Sequence, residues 1–245
     1  MKKIIFSIVL IGFINIVFAD KVVNKFYFAQ IRYNGDWDPY PDVYKDILYF
    51  LKSTTSIESS PERVVVSLEN RDIFNYPFLF LIGKKEFSFT NKEREYLRKF
   101  LLRGGFLFID NASTEKGIGF DNSIRKELSI ILQDYPLKKL EMNHTVFHSF
   151  YLLTDIGGRR IIQPYLEGVD IEDRTAIIYS LNDITGIWVK DKLGNYIYNC
   201  VPGSEKQRLN GLALFMNIIV YSLTGTYKDD KVHQPFLQQK LRRVP

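Results

Sequence analysis

The chain has 245 residues, 46% of them hydrophobic and 25% charged, and a formal net charge of +5 at pH 7. These fractions are typical of a globular protein with a substantial core. The small positive charge comes without a basic stripe interleaved with aromatic residues, so we predict no nucleic-acid partner. The single cysteine, Cys200, excludes an internal disulfide.

Residues 1–19 have the pattern of a signal peptide. Two lysines precede an apolar run over residues 4–17, and the small residue Ala19 ends a segment that resembles a cleavage site. We predict cleavage after Ala19, a periplasmic or secreted mature protein, and no stable membrane span after cleavage. The alternative is an uncleaved inner-membrane anchor, although the run is shorter than the ~20 residues that span a bilayer.

The stretch from residue 78 to 111 predicts a βαβ unit. The short apolar runs 78–82 and 106–109 do not alternate with polar residues, which is typical of strands covered on both faces. Between them, Thr90 and Glu93 can form a capping box that begins a helix, and Gly104-Gly105 can end it. Two strands joined in this way are expected to be parallel, with a right-handed crossover.

The other segments extend this unit into a single α/β domain over residues 20–245, with a polar tail from about residue 226. Further strands are predicted at 26–31, 64–68 and 174–181, and helices near 42–52, 90–102, 121–132 and 204–224. Asp121 and Ser204 are the expected caps of the last two helices. Asn217, near the apolar side of the last helix, is expected to bind the backbone of a neighbouring loop. The predicted fold is a three-layer sandwich with a mostly parallel central sheet.

Polar side chains follow several predicted strands. Parallel strands place their carboxyl ends on one side, where open α/β sheets bind ligands, so we expect one site at this edge. The candidate residues are Asp36, Trp37, Gly83, Asp110, Asn111, His144 and Asp183. A second interpretation stays open, in which each Asp caps a turn and Trp37 plugs the edge of the core.

The histidines give a weak metal signal. His144 and His148 have the spacing that zinc proteins use on one helical face. The residues between them lack the glutamate of a His-Glu-x-x-His helix, so we predict no metal site and no cofactor. His144 is expected instead to form a hydrogen bond or transfer a proton at the ligand edge.

Segments along most of the chain carry a resemblance to one family, and they are 28–33 with Trp37, 76–83, 97–98 with 104–110, 143–147, 179–183, Asn217 with Tyr221, and 227–236. Together these segments resemble the DUF4159 family, a domain of unknown function found in bacteria. The resemblance covers essentially all of the chain after residue 19. It implies a flavodoxin-like sandwich similar to that of class I glutamine amidotransferases.

The chain departs from the amidotransferases in its chemistry. Those enzymes use a cysteine on a tight strand-to-helix turn, with a histidine and a carboxylate behind it. Here Cys200 lies in the segment Tyr198-Asn199-Cys200-Val201-Pro202, away from any such turn, and no Gly-x-Ser-x-Gly occurs. A nucleophilic hydrolase is therefore disfavoured.

Two functions from different classes stay open. The favoured one is an exported, non-catalytic module that binds a small ligand, a glycan or an envelope protein. The alternative is a hydrolase, with or without a metal, in which Asp110 or Asp183 is the base or metal ligand and His144 the acid or ligand. The sequence leaves undecided whether the protein is an enzyme.

Overall fold

A computed structural model describes residues 25–225 and 242–243. The predicted signal peptide and most of the predicted polar tail lie outside the described residues. The strands are β1 (Ala29–Arg32), β2 (Val64–Ser67), β3 (Phe78–Gly83), β4 (Phe106–Asn111), β5 (Lys138–Lys139), β6 (Tyr151–Leu152), β7 (Glu167–Ile171), β8 (Arg174–Ser180) and β9 (Arg242–Arg243). The α-helices are α1 (Val43–Thr54), α2 (Asn91–Leu102), α3 (Gly119–Ile131) and α4 (Ser204–Thr224), and short 3-10 helices occur at Arg71–Asn75, Thr145–Phe147 and Gly186–Trp188.

One seven-stranded sheet forms the centre, in the order β2-β1-β3-β4-β8-β7-β5. The first five of these strands are parallel, whereas β7 and β5 add antiparallel pairs at one side. β3 and β4 are paired in parallel from Phe78 with Phe106 to Gly83 with Asn111, which confirms the predicted βαβ unit. β6 and β9 form a separate two-stranded pair.

Helices cover both faces of the sheet. Because side chains alternate along a strand, Phe106 and Phe108 of β4 pack in the same cluster as α1 and α4, whereas Leu107 and Ile109 pack with α2 and α3. The result is the predicted three-layer sandwich with a mostly parallel sheet. Within residues 25–225, none of the helices is both long and apolar enough to cross a bilayer.

The strand order creates a switch point between β1 and β3. The chain leaves β1 for α1 on one face and leaves β3 for α2 on the other, so a crevice opens between their carboxyl ends, where sheets of this type bind ligands. Tyr33 fills this crevice, and its hydroxyl donates to the backbone oxygen of Ile82 at 3.1 Å. A Cβ added to Gly83 would lie 2.1 Å from the Tyr33 hydroxyl oxygen, so the glycine is needed for packing.

Local signals predicted some element ends and missed others. The Thr90–Glu93 capping box is present at the start of α2. The predicted caps at Asp121 and Ser204 are wrong, because α3 begins at Gly119 and α4 follows Gly203. Asp121 instead lies in the first turn of α3, where it accepts a hydrogen bond from the Gly117 N–H at 2.6 Å.

The buried amide of Asn217 joins α4 to the loop before β6, as predicted. Its oxygen accepts hydrogen bonds from the N–H groups of Phe150 at 3.1 Å and Tyr151 at 2.7 Å. Its nitrogen donates to the Tyr151 carbonyl at 2.9 Å.

Candidate functional site

Two buried carboxylates hold one turn at the carboxyl edge of the sheet. Asp110, the penultimate residue of β4, accepts hydrogen bonds from the Ile184 N–H at 3.1 Å, the Thr185 N–H at 2.7 Å and the Thr185 hydroxyl at 2.6 Å. Asp183, which follows β8, accepts from the Gly186 N–H at 3.0 Å. Both Asp residues have no exposed surface. The pair therefore fixes residues 183–186, the turn that leads into the 3-10 helix ending at Trp188.

The second oxygen of Asp183 is also occupied. It accepts a hydrogen bond from the Tyr40 hydroxyl at 2.9 Å and forms an ion pair with Arg159. The Arg159 guanidinium also lies 3.4 Å from the Ala112 carbonyl oxygen, just past β4. Asp183 thus ties the loop after β1 to the segment around residue 159.

Two tyrosine rings and one further cation, Lys84, lie beside this ion pair. The Lys84 ammonium lies 4.7 Å from the centre of the Tyr40 ring, and the Arg159 guanidinium lies 5.2 Å from the centre of the Tyr198 ring. The two rings meet edge to face, with centroids 6.2 Å apart. We refer to the whole group as the edge cluster, and its members are Tyr40, Lys84, Asp110, Arg159, Asp183 and Tyr198.

An open groove of about 560 Å³ adjoins the edge cluster. Tyr40 and Tyr198 belong to both, and Trp188, which is only 2% exposed, also lines the groove. We call it the aromatic groove, and its other lining residues are Pro39, Pro41, Asp42, Val43, Lys45, Asp46, Val189, Lys190, Asp191, Lys192 and Gly194. Its volume lies within the range of roughly 300–1,000 Å³ that is usual for small-molecule sites.

Burial controls the charge of the two carboxyl groups. Desolvation, with the nearby charge of Asp183 as a second cause, raises the pKa of Asp110 to about 7. Burial also raises the pKa of Asp183, while the Arg159 guanidinium and the Tyr40 hydroxyl partly offset that rise. Asp110 therefore changes its charge near neutral pH, even though hydrogen bonds hold it on three sides.

Asn111 and Gly83 lie at the same edge, but their roles are structural. Their Cα atoms are paired across β3 and β4. The Asn111 side chain accepts from the Ser113 N–H at 3.0 Å and donates to the Glu115 carbonyl at 2.9 Å, so it holds the turn after β4. This is the turn-capping role that the sequence left open as an alternative.

Asp36 and Trp37 lie in the loop that follows β1. The Asp36 carbonyl accepts from the Tyr33 hydroxyl at 3.2 Å, and the Trp37 carbonyl accepts from the Gln30 amide at 2.9 Å. The Arg63 guanidinium lies 5.6 Å from the centre of the Trp37 ring. Their contacts are thus with residues next to the crevice rather than with the edge cluster.

The expectation that His144 joins this edge is wrong. Its Nε2 lies 2.9 Å from the Thr175 hydroxyl, at the amino end of β8 and about 16 Å of strand from Ser180, where β8 ends. The loop that carries His144 packs against α4, with the ring of Tyr221 at 5.4 Å. The direction of β5 does not explain the difference, because β5 pairs antiparallel with β7, β7 pairs antiparallel with β8, and β5 therefore runs like the parallel strands. The segment after β5 instead turns back and brings His144 to the amino end of β8.

His144 caps a short helix rather than binding a metal with His148. Its Nδ1 accepts from the Val146 N–H at 3.1 Å at the start of the 3-10 helix Thr145–Phe147, which is too short to place both histidines on one face. Burial lowers the pKa of His144 to about 4, so the ring is neutral at pH 7. Among the described residues, no group of three or more His, Cys, Asp or Glu side chains could hold a metal ion.

Four members of the edge cluster were missed from the sequence. Tyr40 and Lys84 follow β1 and β3 at the carboxyl edge, so their positions past a parallel strand were a usable signal. Arg159 and Tyr198 lie in segments without helix or strand periodicity. Only the folded chain brings Arg159 to Asp183 and Tyr198 to Arg159 and Tyr40.

Comparison with known proteins gives a family but no activity. A search of curated proteins finds no match. The family model described as "Domain of unknown function (DUF4159)" matches residues 27–223, which is most of the chain. On the strength of that match, the chain belongs to the DUF4159 family.

Proposed function

We propose that this protein is a non-catalytic binding module that holds its ligand in the aromatic groove beside the edge cluster. One observation carries the proposal. Every carboxylate oxygen of Asp110 and Asp183 already accepts a hydrogen bond from the protein, and neither side chain is exposed. A general base or metal ligand must reach the substrate or ion, and these two groups are enclosed.

The hydrolase alternative lacks its other partners at this edge. His144 lies at the opposite end of β8, about 16 Å of strand away. Cys200 is buried, and burial raises the pKa of its thiol, whereas a nucleophilic cysteine needs a lowered pKa. These observations favour binding over catalysis.

The groove has the composition of a recognition surface. Its aromatic and proline side chains give apolar area, and the charged side chains around them can fix the orientation of a ligand. A small ligand, a glycan or an exposed segment of an envelope protein would fit this chemistry.

Fluorescence titration tests the proposal. The chain has two tryptophans, so Trp37→Phe leaves Trp188, which lines the groove, as the only indole reporter. We expect a saturable change in emission with a member of a panel of soluble saccharides and peptides. Tyr198→Ala should weaken that binding at least tenfold, and Tyr49→Ala, at a 74% exposed position on α1, should leave it unchanged.

Product analysis on the same mixtures separates binding from turnover. Mass spectrometry should recover the bound compound unaltered after prolonged incubation. Chemical conversion that is lost in Tyr198→Ala would show that the groove is an active site and would overturn the non-catalytic proposal.

We further propose that the protein is exported, with cleavage after Ala19 and a mature form in the periplasm or outside the cell. The apolar run that follows two lysines supports this location. Mass spectrometry of the protein from fractionated cells should give a mature chain that begins at Asp20. An intact segment 1–19 in the membrane fraction would favour the inner-membrane anchor instead.

A further inference from the structure

We propose that the ligand of the aromatic groove is an acidic oligosaccharide, one of whose carboxylates binds the Lys84 ammonium beside Tyr40. The inference rests on the proposed binding function and names the class of ligand for the same site. The inference has three grounds. Lys84 carries a positive charge beside the groove, tyrosine rings line the groove, and the lining residues lie outside the seven-stranded sheet.

The charges on the groove itself are balanced. Three lysines and three aspartates line it. Lys45 pairs with Asp42 at 2.8 Å and Lys190 pairs with Asp46 at 3.4 Å, while Asp191 accepts hydrogen bonds from the backbone of its own turn. A ligand lying only on this surface meets no net charge.

The edge cluster adds a positive charge at the Tyr40 end of the groove. Arg159 is matched by Asp183, whereas Lys84 forms no ion pair with any residue in the range 25–225. Asp110 contributes at most one negative charge, and three donors of the turn 184–185 already compensate it. Lys84 is half-buried and lies over the Tyr40 ring, so its ammonium is both oriented and less screened than an exposed lysine.

The aromatic surface suits a sugar. The rings of Tyr40 and Tyr198 meet edge to face at 6.2 Å, and paired ammonium and carboxylate groups flank them. Tyr40 is only 9% exposed and Trp188 only 2%, so the half-buried Tyr198 offers the ring on which the apolar C–H face of a pyranose packs, while the sugar hydroxyls bond to the flanking charges. The groove volume of about 560 Å³ limits the bound part to a few sugar rings.

The backbone around the groove does not suit an extended peptide. Peptides that bind by strand addition need the free edge of a sheet. The groove is lined instead by residues 39–46, at the start of α1, and by 188–198, none of which belongs to the seven-stranded sheet. An acidic peptide therefore cannot bind here by strand addition to the seven-stranded sheet, whereas a saccharide needs no free strand edge.

A matched pair of ligands tests the inference. Oligogalacturonate and its methyl ester have the same sugar backbone, but esterification removes the negative charges. In the Trp37→Phe protein, with Trp188 as reporter, we expect the acid to bind at least tenfold more tightly than the ester. Added salt should weaken binding of the acid and leave the ester unaffected.

Two neighbouring lysines supply the matched variants. Lys84→Gln should reduce binding of the acid to the level of the ester, whereas Lys85→Gln, at an exposed position one residue further on, should have no effect. Both variants should retain the unfolding midpoint of the parent protein, which excludes misfolding as the cause of lost binding.

Three results would each overturn a different part of the inference. Equal binding of acid and ester, unaffected by Lys84→Gln, overturns the acidic assignment and leaves the binding function standing. Binding of a polyglutamate peptide in place of either saccharide overturns the sugar assignment. If neither saccharide binds, the inference is wrong, and the wider panel of ligands decides the proposed function separately.

Discussion

Asp110 and Asp183 bind the backbone of the same turn from two sides. Asp110 accepts from the N–H groups of Ile184 and Thr185, and Asp183 accepts from that of Gly186. Because Asp183 also binds Tyr40, and the turn leads to Trp188, the two carboxylates position two residues that line the aromatic groove. The two carboxylates predicted from the sequence therefore support residues that line the aromatic groove and are themselves fully enclosed.

The raised pKa of Asp110 predicts a pH-dependent contribution to stability. The carboxyl group titrates near 3.9 in the unfolded chain and at about 7 in the folded one. Folding thus favours the protonated form, so this stabilisation is full below about pH 4 and is lost as the pH rises to about 7. We expect the free energy of unfolding of the wild type, relative to Asp110→Asn, to fall by on the order of 1 kcal/mol per pH unit over this range.

Urea unfolding at a series of pH values measures that difference. Asp134→Asn, at an exposed position, is the control and should track the wild type throughout. A constant difference between the wild type and Asp110→Asn from pH 4 to 7 would mean that the carboxyl group keeps its ordinary pKa in the folded protein.

His144 should act in the opposite direction. Burial lowers its pKa to about 4, against about 6.5 in the unfolded chain, so its stabilisation is present above about pH 6.5 and is lost as the pH falls towards 4. His144→Asn keeps an acceptor for the Val146 N–H and does not titrate. Relative to this variant, the wild type should lose somewhat less than about 1 kcal/mol per pH unit, because the ring is partly exposed.

The opposing effects of Asp110 and His144 overlap between about pH 4 and 6.5. The stability of the wild type alone can therefore look flat across this range, and each contribution must be measured against its own variant. If His144→Asn and the wild type show parallel pH profiles, the imidazole is not buried as a neutral ring.

The contact between Gly83 and Tyr33 predicts a coupled pair of substitutions. A Cβ at position 83 would lie 2.1 Å from the Tyr33 hydroxyl oxygen and 2.7 Å from the Phe120 ring. Gly83→Ala should destabilise the protein by at least about 1–3 kcal/mol, the usual cost of overpacking. Adding Tyr33→Phe removes the nearest atom and should restore part of the loss.

A double-mutant cycle with denaturant unfolding tests this coupling. Tyr33→Phe alone also loses the hydrogen bond to the Ile82 carbonyl. The stability lost by this single variant is therefore measured separately and subtracted from that of the double variant. Strictly additive effects would show that the hydroxyl is not what excludes a side chain from position 83.

The buried amide of Asn217 should be essential for stability. Asn217→Ala removes the hydrogen bonds to the backbone N–H and C=O groups of Tyr151 and that to the Phe150 N–H. Each buried group that loses its partner costs about 1–3 kcal/mol, so we expect a loss of at least about 3 kcal/mol in the free energy of unfolding. Asn122→Ala, at an exposed position on α3, is the control and should change stability little. A similarly small effect for Asn217→Ala would show that the loop holds its position without this amide.

Local patterns in the sequence were enough to predict the sheet and its helices. Unbroken apolar runs indicated β3 and β4, the 3.6-residue stripes indicated the helices, and the capping box at Thr90 and Glu93 began α2 as predicted. These signals work because backbone geometry sets which neighbours share a face. The parallel pairing also followed, since a connection through a helix returns the chain in the same direction.

Only the tertiary structure decided what the polar residues do. Asp110 and Asp183 lie 73 residues apart, and their burial depends on β4 and β8 being neighbours, which no local pattern specifies. His144 was assigned to the wrong edge because the segment between β5 and His144 turns back to the amino end of β8, which no local pattern specifies. Arg159 and Tyr198 reach the edge cluster from segments without periodicity, because long-range packing and charge pairing, rather than local propensity, set their positions.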